Sequence, residues 1–185
     1  MRAIAGILVA CSLAVAGSGA HATTVDFTAA AIGNVIDDAG DVADGTFDRT
    51  QATTNPQVAG TGNFTYRAVM EFALGSIPTG SIVNSATLHW ELGSATNPPN
   101  NVQLHGYVGN GILDIADGLQ NNLLTTVTIP DFFSTPTFFS IDVTAFLAAQ
   151  LSANDPYSGF MSLSRSISSF REQCDCRKCV RLPNR

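Results

Sequence analysis

The side chains able to do chemistry in this 185-residue chain fall into four groups, and none completes a known catalytic motif. His89 with Glu91, and His105 with Tyr107, sit on the polar positions of two alternating runs. If those runs are neighbours, the imidazoles converge on a metal or a proton-transfer site; if not, they are solvated. Asp37, Asp38, Asp41, Asp44 and Asp48 recur in a Gly-containing stretch and offer hard oxygen ligands to Ca²⁺. The alternative is a solvated acidic loop. Asn110, Gly111, Asp114 and Asp117 would fit the later positions of an EF-hand loop, but Gly106 and Val108 would stand at its first two ligand positions without side-chain donors, so that match fails. Cys174, Cys176 and Cys179 make a partial zinc set with no fourth ligand nearby. The sequence has no G-x-S-x-G, H-E-x-x-H, P-loop or full G-x-G-x-x-G.

Charge narrows the partners. The chain has nine basic and fifteen acidic residues, a net of -6 and a pI near 4.7, with 45% hydrophobic and 13% charged residues. That composition excludes a disordered acidic tail and opposes nucleic-acid binding, which needs a basic stripe. The net hides three segments. Residues 23–164 carry Arg49 and Arg67 against thirteen acids, a net of -11, whereas 165–185 carry six basic and two acidic residues, a net of +4; Arg2 supplies the remaining +1. So acidic a body favours neutral or cation-bridged polymers over polyanions.

The ends read differently from the body. Arg2, an apolar run from Ala3 to Ala16, and Ala20-His21-Ala22 have the form of an export leader cleaved before Thr23. The run is shorter than the ~20 residues a spanning helix needs, and no later stretch reaches that length. The expected mature chain is therefore exported, with no membrane span, to a bacterial surface or exterior. It also loses Cys11, which leaves no disulfide framework in the body. The tail 165–185, basic and holding three cysteines, matches nothing before it. It reads either as a disordered polyanion-binding segment or as the product of a reading-frame shift that cut off the strand Phe160–Ser164.

The elements that must position these groups are strands. Phe64, Tyr66, Ala68, Met70 and Phe72 alternate with Thr65, Arg67, Val69 and Glu71; Ala86, Leu88, Trp90 and Leu92 alternate with Thr87, His89 and Glu91. A third alternation covers 102–108, and shorter runs lie at 24–28, 124–129, 137–143 and 159–164. Each is expected to bury one face. Turn clusters at Asn55-Pro56, Ile77-Pro78-Thr79-Gly80 and 97–101 separate them. One helix is expected near 144–152, capped by Asp142 or Thr144 and ended by Asn154-Asp155-Pro156. The expected architecture is all-β: an antiparallel, jelly-roll-like β-sandwich over 23–164 with that one short helix.

The segment Arg67-Ala68-Val69-Met70-Glu71-Phe72-Ala73-Leu74, followed by Ile77-Pro78-Thr79-Gly80 and Ser85-Ala86-Thr87-Leu88, resembles the DNRLRE domain. That family comprises disaggregatase-related, carbohydrate-binding-like β-sandwiches of secreted bacterial and archaeal proteins. His105–Gly111, Ala116-Asp117 and Phe139–Thr144 resemble its continuation in exported proteins with a C-terminal PEP-type sorting signal, although that signal is missing here. The resemblance covers roughly 64–164 and implies a non-catalytic module bound to polysaccharide or matrix glycan. A structural or adhesive surface protein is the alternative, and a polysaccharide-cleaving enzyme the third reading. Sugar binding needs exposed rings with polar side chains around them. Trp90 is in register with Ala86 and Leu88 and reads as core, which leaves Tyr107, His105, His89 and Glu91 as the ligand-binding candidates, and Asp37, Asp38, Asp41 and Asp44 as those for calcium. Nothing in the sequence fixes the oligomeric state.

Overall fold

The computed structural model describes residues 9–14, 22–38, 45–60, 64–92, 95–96, 101–129, 132–133 and 137–164. The cysteine-bearing tail, Asp41 and Asp44 lie outside the described residues. In chain order the strands are β1 (Val9–Ala14), β2 (Ala22–Asp26), β3 (Ala29–Asp37), β4 (Arg49–Ala52), β5 (Ala59–Gly60), β6 (Thr65–Ala73) and β7 (Ile82–Leu92). They continue with β8 (Ala95–Thr96), β9 (Asn101–Gly109), β10 (Leu123–Thr128), β11 (Phe132–Phe133), β12 (Thr137–Asp142) and β13 (Tyr157–Ser164). A 3-10 helix spans Ile115–Leu119 and α1 spans Thr144–Ala153.

Two antiparallel sheets form a β-sandwich. The large sheet runs β10-β9-β13-β6-β3-β4 with β5 on β6; the small one runs β12-β7-β1-β2. The alternations expected from sequence fall on β6, β7 and β9, and the facing apolar rows make the core: Ala68, Met70, Phe72, Leu104 and Phe160 against Ala86, Leu88, Trp90 and Ile141. Phe160 packs edge-to-face on both Phe72, at 5.9 Å between ring centroids, and Phe146 of α1, at 5.5 Å. Trp90 is fully buried beside Phe139.

The expectation of one buried face per strand holds for β7 but not for β6 and β9. From Ala68 to Phe72, and from Leu104 to Tyr107, every residue is buried. The reason is a long excursion between β9 and β10. Residues 110–122, including the 3-10 helix, pack across β3, β6 and β13 on the side away from the small sheet. Val35, Phe47, Val69, Tyr107 and Met161 form a second apolar cluster there, with Leu113 of the excursion packed against it.

Local chemistry accounts for the turns around the core. The Ile77 N–H donates to the Leu74 carbonyl at 2.9 Å and the Ser81 N–H to the Pro78 carbonyl at 3.1 Å, with Gly80 at φ +82°. At the start of α1, Asp142 Oδ1 accepts the Thr144 N–H at 2.8 Å, and the hydroxyl of Thr144 accepts the Ala86 N–H at 2.9 Å, which pins the helix to β7. Asn154, left-handed at φ 60°, ends the helix. The apolar run read as an export leader supplies β1, hydrogen-bonded between β7 and β2. Phe160→Ala is expected to cost about 3–5 kcal/mol, measured by urea unfolding; a loss under about 1 kcal/mol would place this ring outside the core.

Candidate functional sites

The four ligand candidates divide between two surfaces. His89 and Glu91 face outward from the small sheet and are half-buried. His105 and Tyr107 lie on the back of the large sheet, 7% and 6% exposed, under the 110–122 excursion. They are not surface residues: the alternation places them opposite Leu104, but the face they occupy is covered. The two histidines therefore do not converge. Burial, with the Arg67 charge adding to it and the Asn121 backbone opposing it, holds the His105 imidazole below its ordinary pKa.

One row of the large sheet is built around a buried carboxylate. Glu71 on β6 is opposite Gly159 on β13, which is opposite Tyr107 on β9. Glycine is required in the middle, because a Cβ at Gly159 would lie 2.3 Å from Tyr107 Cζ; the phenol ring lies over that gap, toward Glu71. Glu71 is 0% exposed, and its Oε2 accepts the N–H groups of Asn110 at 3.1 Å and Gly111 at 2.5 Å. Gly109 leaves room for it, since a Cβ there would meet Glu71 Cδ at 2.7 Å. Asp117 Oδ2 accepts the Asp114 N–H at 2.8 Å while Asp114 Oδ1 accepts the Ala116 N–H at 2.8 Å, a reciprocal cap for the 3-10 helix. Arg67, its guanidinium 4.3 Å above the Phe47 ring, donates to the Gly118 carbonyl and ties down the far end. Asn110, Asp114 and Asp117, which failed as an EF-hand, thus serve to fold the excursion.

Burial, reinforced by the charges of Glu71 and Asp114 against the Asp114 N–H bond, pushes the Asp117 carboxyl up to about 7. Burial first, and then the Asp117 and Glu71 charges, push the Tyr107 phenol far upward. Both groups favour their neutral forms. The arrangement holds backbone in place.

Of the calcium candidates, Asp37 is buried and accepts the Gly45 N–H at 2.8 Å, and Asp38 pairs with Arg49, which holds its carboxyl below the ordinary range. Among the described residues no group of three or more His, Cys, Asp or Glu is arranged to hold a metal ion.

Two accessible features stand out among the described residues. A cleft of about 610 Å³ opens between the 74–81 turn and the end of α1, lined by Thr79, Ser81, Ser152, Asn154 and a single carboxylate, Asp155. The other is the outer face of the small sheet, where Phe138 is opposite Glu91, Ser140 opposite His89 and Asp142 opposite Thr87. Phe138 is 42% exposed. The sequence carries its signal in the pair Phe138-Phe139: with Phe139 packed on Trp90, period two must turn Phe138 outward. In comparisons with known proteins, no family model and no curated protein matches this chain. No helix among the described residues is long and apolar enough to cross a membrane.

The carboxyl of Asp117 sets a pH dependence. Its pKa is raised in the folded state from 3.8, so the stabilisation it contributes is complete below about pH 4 and is lost as pH rises through about 7. Asp117→Asn keeps an acceptor for the Asp114 N–H and is neutral at every pH. Urea midpoints at pH 5 and pH 8 should differ less in this variant than in the parent; an unchanged difference would remove Asp117 from the account.

Proposed function

We propose that this chain is an exported, non-catalytic β-sandwich module that binds a glycan of the cell surface or extracellular matrix through the outer face of the small sheet. The observation that carries the reading is the half-exposed Phe138 ring, rimmed by Glu91, His89, Ser140 and Thr87 on adjacent strands. An exposed ring offers an apolar face to the C–H groups of a sugar, and the surrounding carboxylate, imidazole and hydroxyls match its hydroxyls in both donor and acceptor sense. The DNRLRE resemblance over 64–164 supports the same ligand class, with His89 and Glu91 kept and Phe138 taking the place of Tyr107. The net charge of -11 over 23–164 favours neutral glycans.

Chemistry supports the non-catalytic reading. Glycoside hydrolysis uses two carboxyls roughly 5–10 Å apart across the scissile bond. Glu71 and Asp117 are buried and occupied with backbone N–H groups, and the open cleft is lined by one carboxylate, Asp155.

A glycan array probed with the exported chain should show binding to neutral polysaccharides. Phe138→Ala should weaken it about tenfold or more, equivalent to ~1.4 kcal/mol, while Phe138→Trp should retain it. Loss in Asn154→Ala but not in Phe138→Ala would move the site to the cleft. Release of reducing ends from a bound glycan would contradict the non-catalytic reading, and an array without binding would remove the glycan reading altogether.

A further inference from the structure

The small sheet contains a segment that export would remove. β1 lies between β7 and β2, with Val9–Ala14 paired to Ile82–Leu88 on one side and to Ala22–Asp26 on the other. The same six residues sit in the apolar run that precedes Ala20-His21-Ala22. Cleavage before Thr23 takes β1 away, with two consequences. The edge of β7 facing β1 becomes bare from Ile82 to Leu88, and β2, whose pairing is with β1, loses its partner.

The chain's own β2 closes this gap poorly. β1 is antiparallel to both neighbours, so β2 and β7 run in the same direction. Direct pairing between them would be parallel, whereas every strand pair in the described residues is antiparallel. β12 cannot shield the stretch, because it pairs with β7 only over Thr87–Leu92, on the opposite side.

We propose that the exported chain dimerises by pairing the bare β7 edge with the same edge of a second copy. Like edges related by a two-fold axis meet antiparallel, the direction the vacated slot accepts and β2 cannot supply. Charge permits the approach. Ile82-Val83-Asn84-Ser85-Ala86-Thr87-Leu88 carries no ionisable side chain, in a body whose net charge of -11 would otherwise repel its copy. The β1 sequence that fills the slot, Val-Ala-Cys-Ser-Leu-Ala, is likewise uncharged. The dimer would join two small sheets into one, with β7 at its centre. This inference rests on cleavage of the leader and is independent of glycan binding.

The test uses the full chain, expressed with its own N-terminus in an export-competent bacterium and recovered from outside the cytoplasm. Mass spectrometry reads the N-terminus, and light scattering with size exclusion reads the molecular mass. The expected result is a chain starting at Thr23 that is a dimer at about 100 μM. A peptide spanning residues 8–15, added in trans, should convert it to monomer by reoccupying the edge. Ser85→Pro should give a folded monomer by circular dichroism, since the ladder position of Ser85 faces β1. A chain that keeps residues 1–22 overturns the proposal, as does a Thr23 chain that stays monomeric. A dimer indifferent to the peptide places the interface elsewhere and overturns it too. The peptide arm decides the matter even if Ser85→Pro fails to fold.

Discussion

The large sheet has to hide both of its faces, and the rest of the molecule is arranged around that constraint. One face is covered by the small sheet through Trp90, Leu88 and Ala86. The other is covered by a single irregular excursion, residues 110–122, whose backbone polar groups cannot all pair with one another. Glu71 resolves this from beneath. A carboxylate with 0% exposure would be costly in an apolar layer, but here its Oε2 accepts the Asn110 and Gly111 N–H groups. The otherwise orphaned amides are satisfied by that oxygen, while Glu71 Oε1 stays buried without a hydrogen-bond partner. Asp117 repeats the solution one turn later, and Arg67 completes it at Gly118. The excursion is held by Glu71 and Arg67, side chains from the sheet it covers, and it shields that face while most of its own residues stay exposed.

The small sheet is organised differently, and that difference is what makes it the functional candidate. Its inner face is apolar, but among the described residues no excursion crosses the outside of β7 and β12, and the alternate residues of those strands are half-buried or exposed. Glu91, His89 and Thr87 on β7 meet Phe138, Ser140 and Asp142 on β12 in register. A flat surface with one aromatic ring and several hydrogen-bonding neighbours suits an extended ligand better than a small molecule held in a deep pocket. The pinning of α1 to Ala86 by Thr144 fixes one end of that surface, because the helix follows β12 directly.

How much of this was legible in the sequence depends on which physical signal each element carried. Period two is strong in β6, β7 and β9, and the position of Trp90 in the core follows from it. The helix and its end at Asn154 were legible, but neither Asp142 nor Thr144 is its N-cap: that position is Val143, without a side-chain cap bond, because the Thr144 hydroxyl is taken by the Ala86 N–H of β7. β3 was missed because Ala29-Ala30-Ala31-Ile32-Gly33 has small residues on both faces and no alternation to read. The burial of Tyr107 and His105 was missed for a subtler reason. Alternation tells which residues share a face, but not whether that face is covered. The clue lay outside the strands, in glycines at 109 and 159 that leave space for Glu71 and Tyr107, and in Leu113, which packs onto the second cluster. The apolar run 3–16 shows the same limit, since short uncharged apolar segments fit both a leader and an inner strand.

Residues 110–122 are a fixed cover over the large sheet, held by the buried Glu71 carboxylate. Native-state amide hydrogen exchange measures it directly at Asn110 and Gly111, whose N–H groups reach no strand ladder and have Glu71 as their acceptor. The account predicts that these two amides exchange only through global unfolding, with protection equal to that of Phe160 and Met70 in the paired strands β13 and β6. Exchange at the rate of a solvated loop, while the strands remain protected, would contradict it.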